Sequence, residues 1–227
     1  MMRRFISILI MATVIGYGLL TTAATDAEVV EVDALELTFS ENLDQPTVPG
    51  KARQYVTTAM DQIRRQLVKA ELPTQAIRNG EVVQVTIPCG QLFAPGAIDL
   101  KPAADELLRH FSGVLRESSK YKVIVAVYGD NTGDDMYADS ITSARANAID
   151  DYFWTLMGEA ETNVIPYGMG KDNPLKPNDS MLHRYANRRV EIYVVPDWGL
   201  LQAAGVRRRW DFVYPIFLTK FANNYTK

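Results

Sequence analysis

The chain has 227 residues, 47% of them hydrophobic and 22% charged, which is enough apolar material for one sizeable globular domain with appendages. Its formal charge is −3, and the first 24 residues contribute two arginines and no acid, so the rest stands at −5. That balance provides no basic field for nucleic acid, which is excluded as a partner class.

The chain opens with Arg3 and Arg4, an apolar run over residues 5–20, and small residues at Thr22, Ala23 and Ala24. This is the pattern of an export signal, and residues 1–24 are read as a signal peptide cleaved near Ala24 or as a retained N-terminal membrane anchor. Residues 25–79 read as linker and amphipathic helix. The first part is acidic and Thr-rich, with Pro46, Pro49 and at most one short strand over 29–39. Over 51–72, Ala52, Tyr55, Val56, Ala59, Met60, Ile63 and Leu67 recur at helical spacing, and Pro73 ends the run.

Residues 81–88 (EVVQVTIP) alternate and are β-branched, as a strand requires. Residues 103–117 predict a helix, with Pro102 in its first turn, where a missing N–H costs nothing. Residues 122–128 (KVIVAVY) are almost continuously apolar, which suits a central strand. The turn DNTGDD leads to a helix over 135–157, capped by Asp134 and stopped by Gly158, with Tyr137, Ile141, Ala144, Ala148, Tyr152 and Leu156 as its stripe. Strands over 163–167 and 189–195 complete an α+β domain over 80–196. Its order is β-α-β-α-β-β, a mixed sheet with helices packed on one face, preceded by the extra amphipathic helix.

Cys89 is the only cysteine, and His110 and His183 are the only histidines. No nucleophile, metal or phosphate-loop pattern is present, so the reading is non-enzymatic, with no catalytic residue, metal or cofactor. Cys89 is read as a small residue packed at a strand end, with an intermolecular disulfide as the alternative.

Residues 128–146, YGDNTGDDMYADSITSARA, resemble the signature of the OmpA-like peptidoglycan-binding domain family. Asp130, Gly133, Tyr137, Ile141, Thr142, Arg145 and Ala146 fall on the matching positions. The resemblance continues through YGMGKDNP (167–174), Asn178 and Asp179, and the Asn-Arg-Arg-Val-Glu run at 187–191. Relatives include outer-membrane barrels carrying this domain, peptidoglycan-associated lipoproteins and flagellar-motor stator subunits.

The resemblance implies that the free end of diaminopimelate in the wall's stem peptide is the ligand. That end is a zwitterion, so it needs a fixed anion and a fixed cation close together. Asp130 and Arg145 are carried over for those roles, and Arg188 either joins them on the ligand carboxylate or forms an internal ion pair. Spacing agrees, since Asp130 precedes the helix and Arg145 lies about three turns into it on the flank of the stripe. The turn at Asn131, Thr132 and Gly133 is read as supporting, its amides adding donors. Asn187, Arg189 and Glu191 are read as structural, and Gly168 and Gly170 as serving backbone geometry.

Three positions depart from the family pattern: Gly129 before the aspartate, Ala138 in place of an asparagine, and Ala94 in the first loop in place of an acid. They bear on affinity and on the ligand accepted. The implied localisation is the periplasm or cell envelope, with membrane association left open. The function expected is tethering of peptidoglycan to an envelope component. The alternative is a structural subunit of an envelope complex whose domain serves protein contacts. Residues 197–227 form a basic and aromatic extension, with Trp198, Trp210, Phe212, Tyr214, Phe217 and Phe221, and suggest an envelope or outer-membrane protein partner.

Overall fold

The computed structural model describes residues 37–158, 160 and 162–207, of which Phe39–Val206 form one unit. The apolar N-terminal run and the aromatic residues from Trp210 onward lie outside the described residues.

Five strands build the sheet: β1 Thr74–Ile77, β2 Val82–Pro88, β3 Tyr121–Tyr128, β4 Val164–Gly168 and β5 Arg189–Pro196. Their order is β1-β2-β5-β3-β4, with β3 and β4 parallel and every other pair antiparallel. All residues of β3 and β5 are buried, because both strands are central and both sheet faces are covered.

The larger face carries Val83, Val85, Ile87, Val123, Val125, Val127, Val190, Ile192 and Val194, an alternation that follows the two-residue period of a strand. Against it pack α2 Gly50–Lys69 and α6 Asp135–Leu156, with α4 Ala104–Leu108, α5 Ser112–Leu115 and α8 Trp198–Ala203. Helix α2 buries Ala52, Val56, Met60, Ile63 and Leu67, as its spacing predicts, although Tyr55 remains half exposed. Helix α6 connects the parallel pair β3 and β4 in a βαβ unit. Its Asp134 cap accepts from the Tyr137 amide at 2.7 Å, and Gly158 beyond its end has φ +67°.

Three local readings change. Residues 103–117 form two short helices joined by a 3₁₀ turn at Arg109–Phe111, not one continuous helix. The buried positions of α6 are Ala138, Thr142, Arg145, Ala146, Ile149 and Phe153, so the packed face is rotated by about one residue from the expected stripe. The rotation leaves Tyr137 half exposed. Phe39, expected to end a strand, instead starts α1 Phe39–Asp44.

Helix α1 and the residues after it lie on the smaller sheet face, over Val82, Ile124, Ala126, Tyr128, Tyr193 and Val195. Phe39 sets its edge against Tyr167 and Tyr193, with ring centroids 5.7 and 5.5 Å away. Buried Lys122 donates through Nζ to the carbonyls of Asn42 and Gln45, and Arg78 donates to those of Leu43 and Pro46. On the same face Arg189 stacks over Tyr128 at 3.8 Å and donates to Glu191 at 2.7 Å, while Tyr193 donates to the other Glu191 oxygen. With Asn187 fully buried and bonded to Lys176 and Asn178, these residues hold the domain together.

Candidate functional site

At the end of the sheet where β3 runs out, four segments enclose a cleft of about 520 Å³. They are the short helix α3 Cys89–Leu92 with the loop after it, the turn following β3, the first half of α6, and α7 Met181–Asn187 with Arg188. Asp130, Thr132, Arg145 and Arg188 all line it, so the expected acid and the expected cation open onto one cavity. Asn131 and Gly133 do not line it. They shape the turn instead: Gly133 has φ +79°, and an added Cβ would stand 3.0 Å from the Tyr137 ring.

Asp130 is only 6% exposed. Its Oδ1 accepts from the Thr132 amide at 2.9 Å and its Oδ2 from Arg188 Nη1. Burial raises its pKa, but the Thr132 bonds and the Arg188 charge outweigh burial and hold the carboxyl below its usual value. The Thr132 amide, expected as a donor to ligand, is therefore spent on Asp130. Of the two alternatives for Arg188, the structure contains the internal ion pair, and the side chain as a whole remains 41% exposed at the cleft.

Arg145 is 8% exposed and sits on the packed face of α6, not on its flank. Nε donates to the Ala97 carbonyl at 2.8 Å, Nη2 to the Ala94 carbonyl at 3.3 Å, and the guanidinium lies 5.0 Å from the Phe93 ring centroid. Among the described residues no carboxylate pairs with it. A largely buried cation held only by neutral groups keeps its attraction for an incoming anion.

The departures from the family pattern have structural consequences. Gly129 donates to the Gly170 carbonyl at 2.6 Å, and a Cβ there would lie 2.9 Å from that oxygen, so a larger residue is excluded. Ala94 serves Arg145 through its backbone, and Ala138 is a buried part of the wall. The wall also contains residues that sequence reasoning did not assign to it: Cys89, Phe93, Lys101 and Tyr185. Phe93 and Lys101 stand in the first loop that the motif already marked. Tyr185 lies on α7, whose Ser180 cap, accepting from the His183 amide at 3.1 Å, was the available signal. Cys89 is a free thiol, and its burial pushes the pKa up to about 11.

A mixed sheet with long helices on one face and a charged cleft at the strand ends defines an α+β domain. Residues 92–188 match the model of the OmpA family. YiaD of Escherichia coli K12 is 29% identical over 119 residues, covering 52% of this chain and 54% of that protein. The peptidoglycan-binding protein ArfA of Mycobacterium bovis is 31% identical over 102 residues, covering 45% of this chain and 31% of ArfA. The chain thus spans about half the length of one of these relatives and about a third of the other. A MotB-like protein from Desulfovibrio vulgaris superimposes with TM-score 0.54 at 23% identity, covering 64% of this chain and 98% of that one, a likeness of fold.

Proposed function

We propose that this domain binds peptidoglycan without catalysis, through the zwitterionic end of diaminopimelate, and so ties the wall to another component of the cell envelope. The observation that carries the reading is the pair of buried opposite charges, Asp130 and Arg145, on one cleft, with no carboxylate among the described residues paired to Arg145. Arg145, joined by Arg188, takes the ligand carboxylate. The ammonium goes to the lone pairs that Asp130 keeps beyond Thr132 and Arg188. Each charge-assisted bond contributes roughly 1.5–3 kcal/mol, so two or three give millimolar to micromolar affinity, which a wall of repeated sites multiplies. The peptidoglycan-binding relative ArfA supports the ligand class. The periplasmic face of the envelope is the compartment where that ligand is met.

Co-sedimentation with isolated wall sacculi tests the reading. Wild type is expected to sediment, and Asp130→Ala and Arg145→Ala to remain in solution. Equal sedimentation of all three overturns it. A second reading, a subunit making protein contacts in an envelope complex, is favoured by α7, where Met181 and Leu182 are 79% and 75% exposed. It gains if wild type fails to sediment.

A further inference from the structure

The cleft holds more positive charge than a zwitterion uses. Its walls include three cations, Lys101, Arg145 and Arg188, and a single acid, Asp130, a local balance of +2 in a chain whose net charge is −3. Arg188 already neutralises Asp130. Lys101 lines the cleft from the loop after α3, where its Nζ donates to the Gly90 carbonyl at 2.5 Å. No carboxylate among the described residues pairs with it, and Asp99, its nearest acid in sequence, is exposed and does not line the cavity. An ammonium has three donors, and the carbonyl uses one of them.

A zwitterion leaves this excess uncompensated, whereas a peptide with further carboxylates does not. A capped stem peptide ending in diaminopimelate carries two carboxylates besides the zwitterion: the α-carboxylate of its isoglutamyl residue and that of the peptide-bonded end of the diamino acid. Resting on the wall-peptide reading above, we propose that Lys101 is a specificity-determining residue that holds one of these further carboxylates. The site therefore selects free-acid stem peptides over amidated ones. Amidation replaces an anion by a neutral group of nearly the same size, so it removes the charge and leaves the fit.

The test is calorimetric titration of the full chain with N-acetyl-L-alanyl-γ-D-glutamyl-meso-diaminopimelate. Two monoamides, one at each further carboxylate, and a third amidated at the zwitterion complete the series. Wild type is expected to bind the free acid about tenfold tighter than one of the first two, and that amide identifies the carboxylate held. The ratio is expected to fall to about one in Lys101→Gln and to return in Lys101→Arg. Because it is a ratio within each variant, a general loss of affinity in Lys101→Gln leaves it interpretable.

A ratio equal in wild type and Lys101→Gln, or two monoamides bound as tightly as the acid, overturns the role of Lys101. If the zwitterion amide alone is rejected in that case, the wall-peptide reading stands without it. If wild type binds none of the four peptides, the wall-peptide reading fails and this inference goes with it.

Discussion

Arg188 donates to the Oδ2 of Asp130 at the cleft, so the acid proposed for the ligand ammonium is already held by a cation of the domain itself. The pair keeps a buried carboxylate ionised, which a site for a cation requires, and the Thr132 amide assists from the other oxygen. The Thr132 bonds and the Arg188 charge outweigh burial and hold the Asp130 carboxyl below its ordinary value in the folded domain. A depressed folded pKa means that its contribution to stability is present above the unfolded value and is lost as pH falls through the folded one. Carbon-detected NMR titration should therefore show Asp130 titrating below ordinary aspartates, and Arg188→Ala should move it upward. An unchanged Asp130 titration in Arg188→Ala would show that the ion pair does not hold the carboxylate.

Arg145 depends on a planar fork. It contacts two carbonyls, three residues apart on one loop, and lies against Phe93, and a lysine cannot meet all three from one point charge. Arg145→Lys is expected to keep the fold and lose at least tenfold in wall-peptide affinity. Arg145→Ala, which also takes the donor from the Ala97 carbonyl while that of Ala94 keeps its bond from the Ala97 amide, should in addition lower stability by about 1–3 kcal/mol. Urea unfolding set beside peptide titration separates the two effects; equal affinity of Arg145→Lys and wild type would remove the fork from the argument.

The elements legible in the sequence are those whose own residues dictate them. Helix α2 and strand β3 are long and strongly patterned, and Asp130 and Arg145 stand in a motif. Strand β1 was not legible because TQAI is four residues of mixed polarity, paired on one side only with β2. Helix α7 is seven residues long and exposes Met181 and Leu182, so it has no apolar stripe to betray it. The partners of Arg145 lie 48 and 51 residues away and are backbone carbonyls, for which no side-chain pattern can stand. Lys101 needed the closed cleft, since only the assembled walls reveal how few acids face it.

Lys122 gives the smaller sheet face a pH dependence. Burial pushes its pKa down to about 8, and its Nζ is held by the carbonyls of Asn42 and Gln45 and by the Asn42 side chain. Between that value and the unfolded one near 10.5 the unfolded chain binds the extra proton, so this group makes the domain more stable as pH rises through the window. The gain expected from pH 7.5 to 10 is roughly 1–3 kcal/mol. Lys122→Met should abolish that gain, and the difference between the two proteins in urea unfolding isolates it from the tyrosines. A difference that does not vary with pH would mean that Lys122 keeps an ordinary pKa.

Gly168 marks where α6 lies directly on β4. A Cβ at this position would stand 2.2 Å from Ser143 Oγ, 2.5 Å from its backbone nitrogen and 2.7 Å from its Cα. The hydroxyl could rotate away, but the backbone atoms belong to the middle of a 22-residue helix and cannot move alone. Gly168→Ala must therefore lift α6 off the sheet or bend β4, at a cost of about 3 kcal/mol or more. Ser143→Ala in the same chain should not rescue it, because two of the three contacts are with backbone. The helix so displaced carries Arg145, while Asp130 stays on the turn after β3, so the double variant should lose peptide affinity even where it remains folded. Thermal unfolding and peptide titration of the single and double variants check this. Rescue by Ser143→Ala would place the clash on the hydroxyl and free the helix from its role in aligning the cleft.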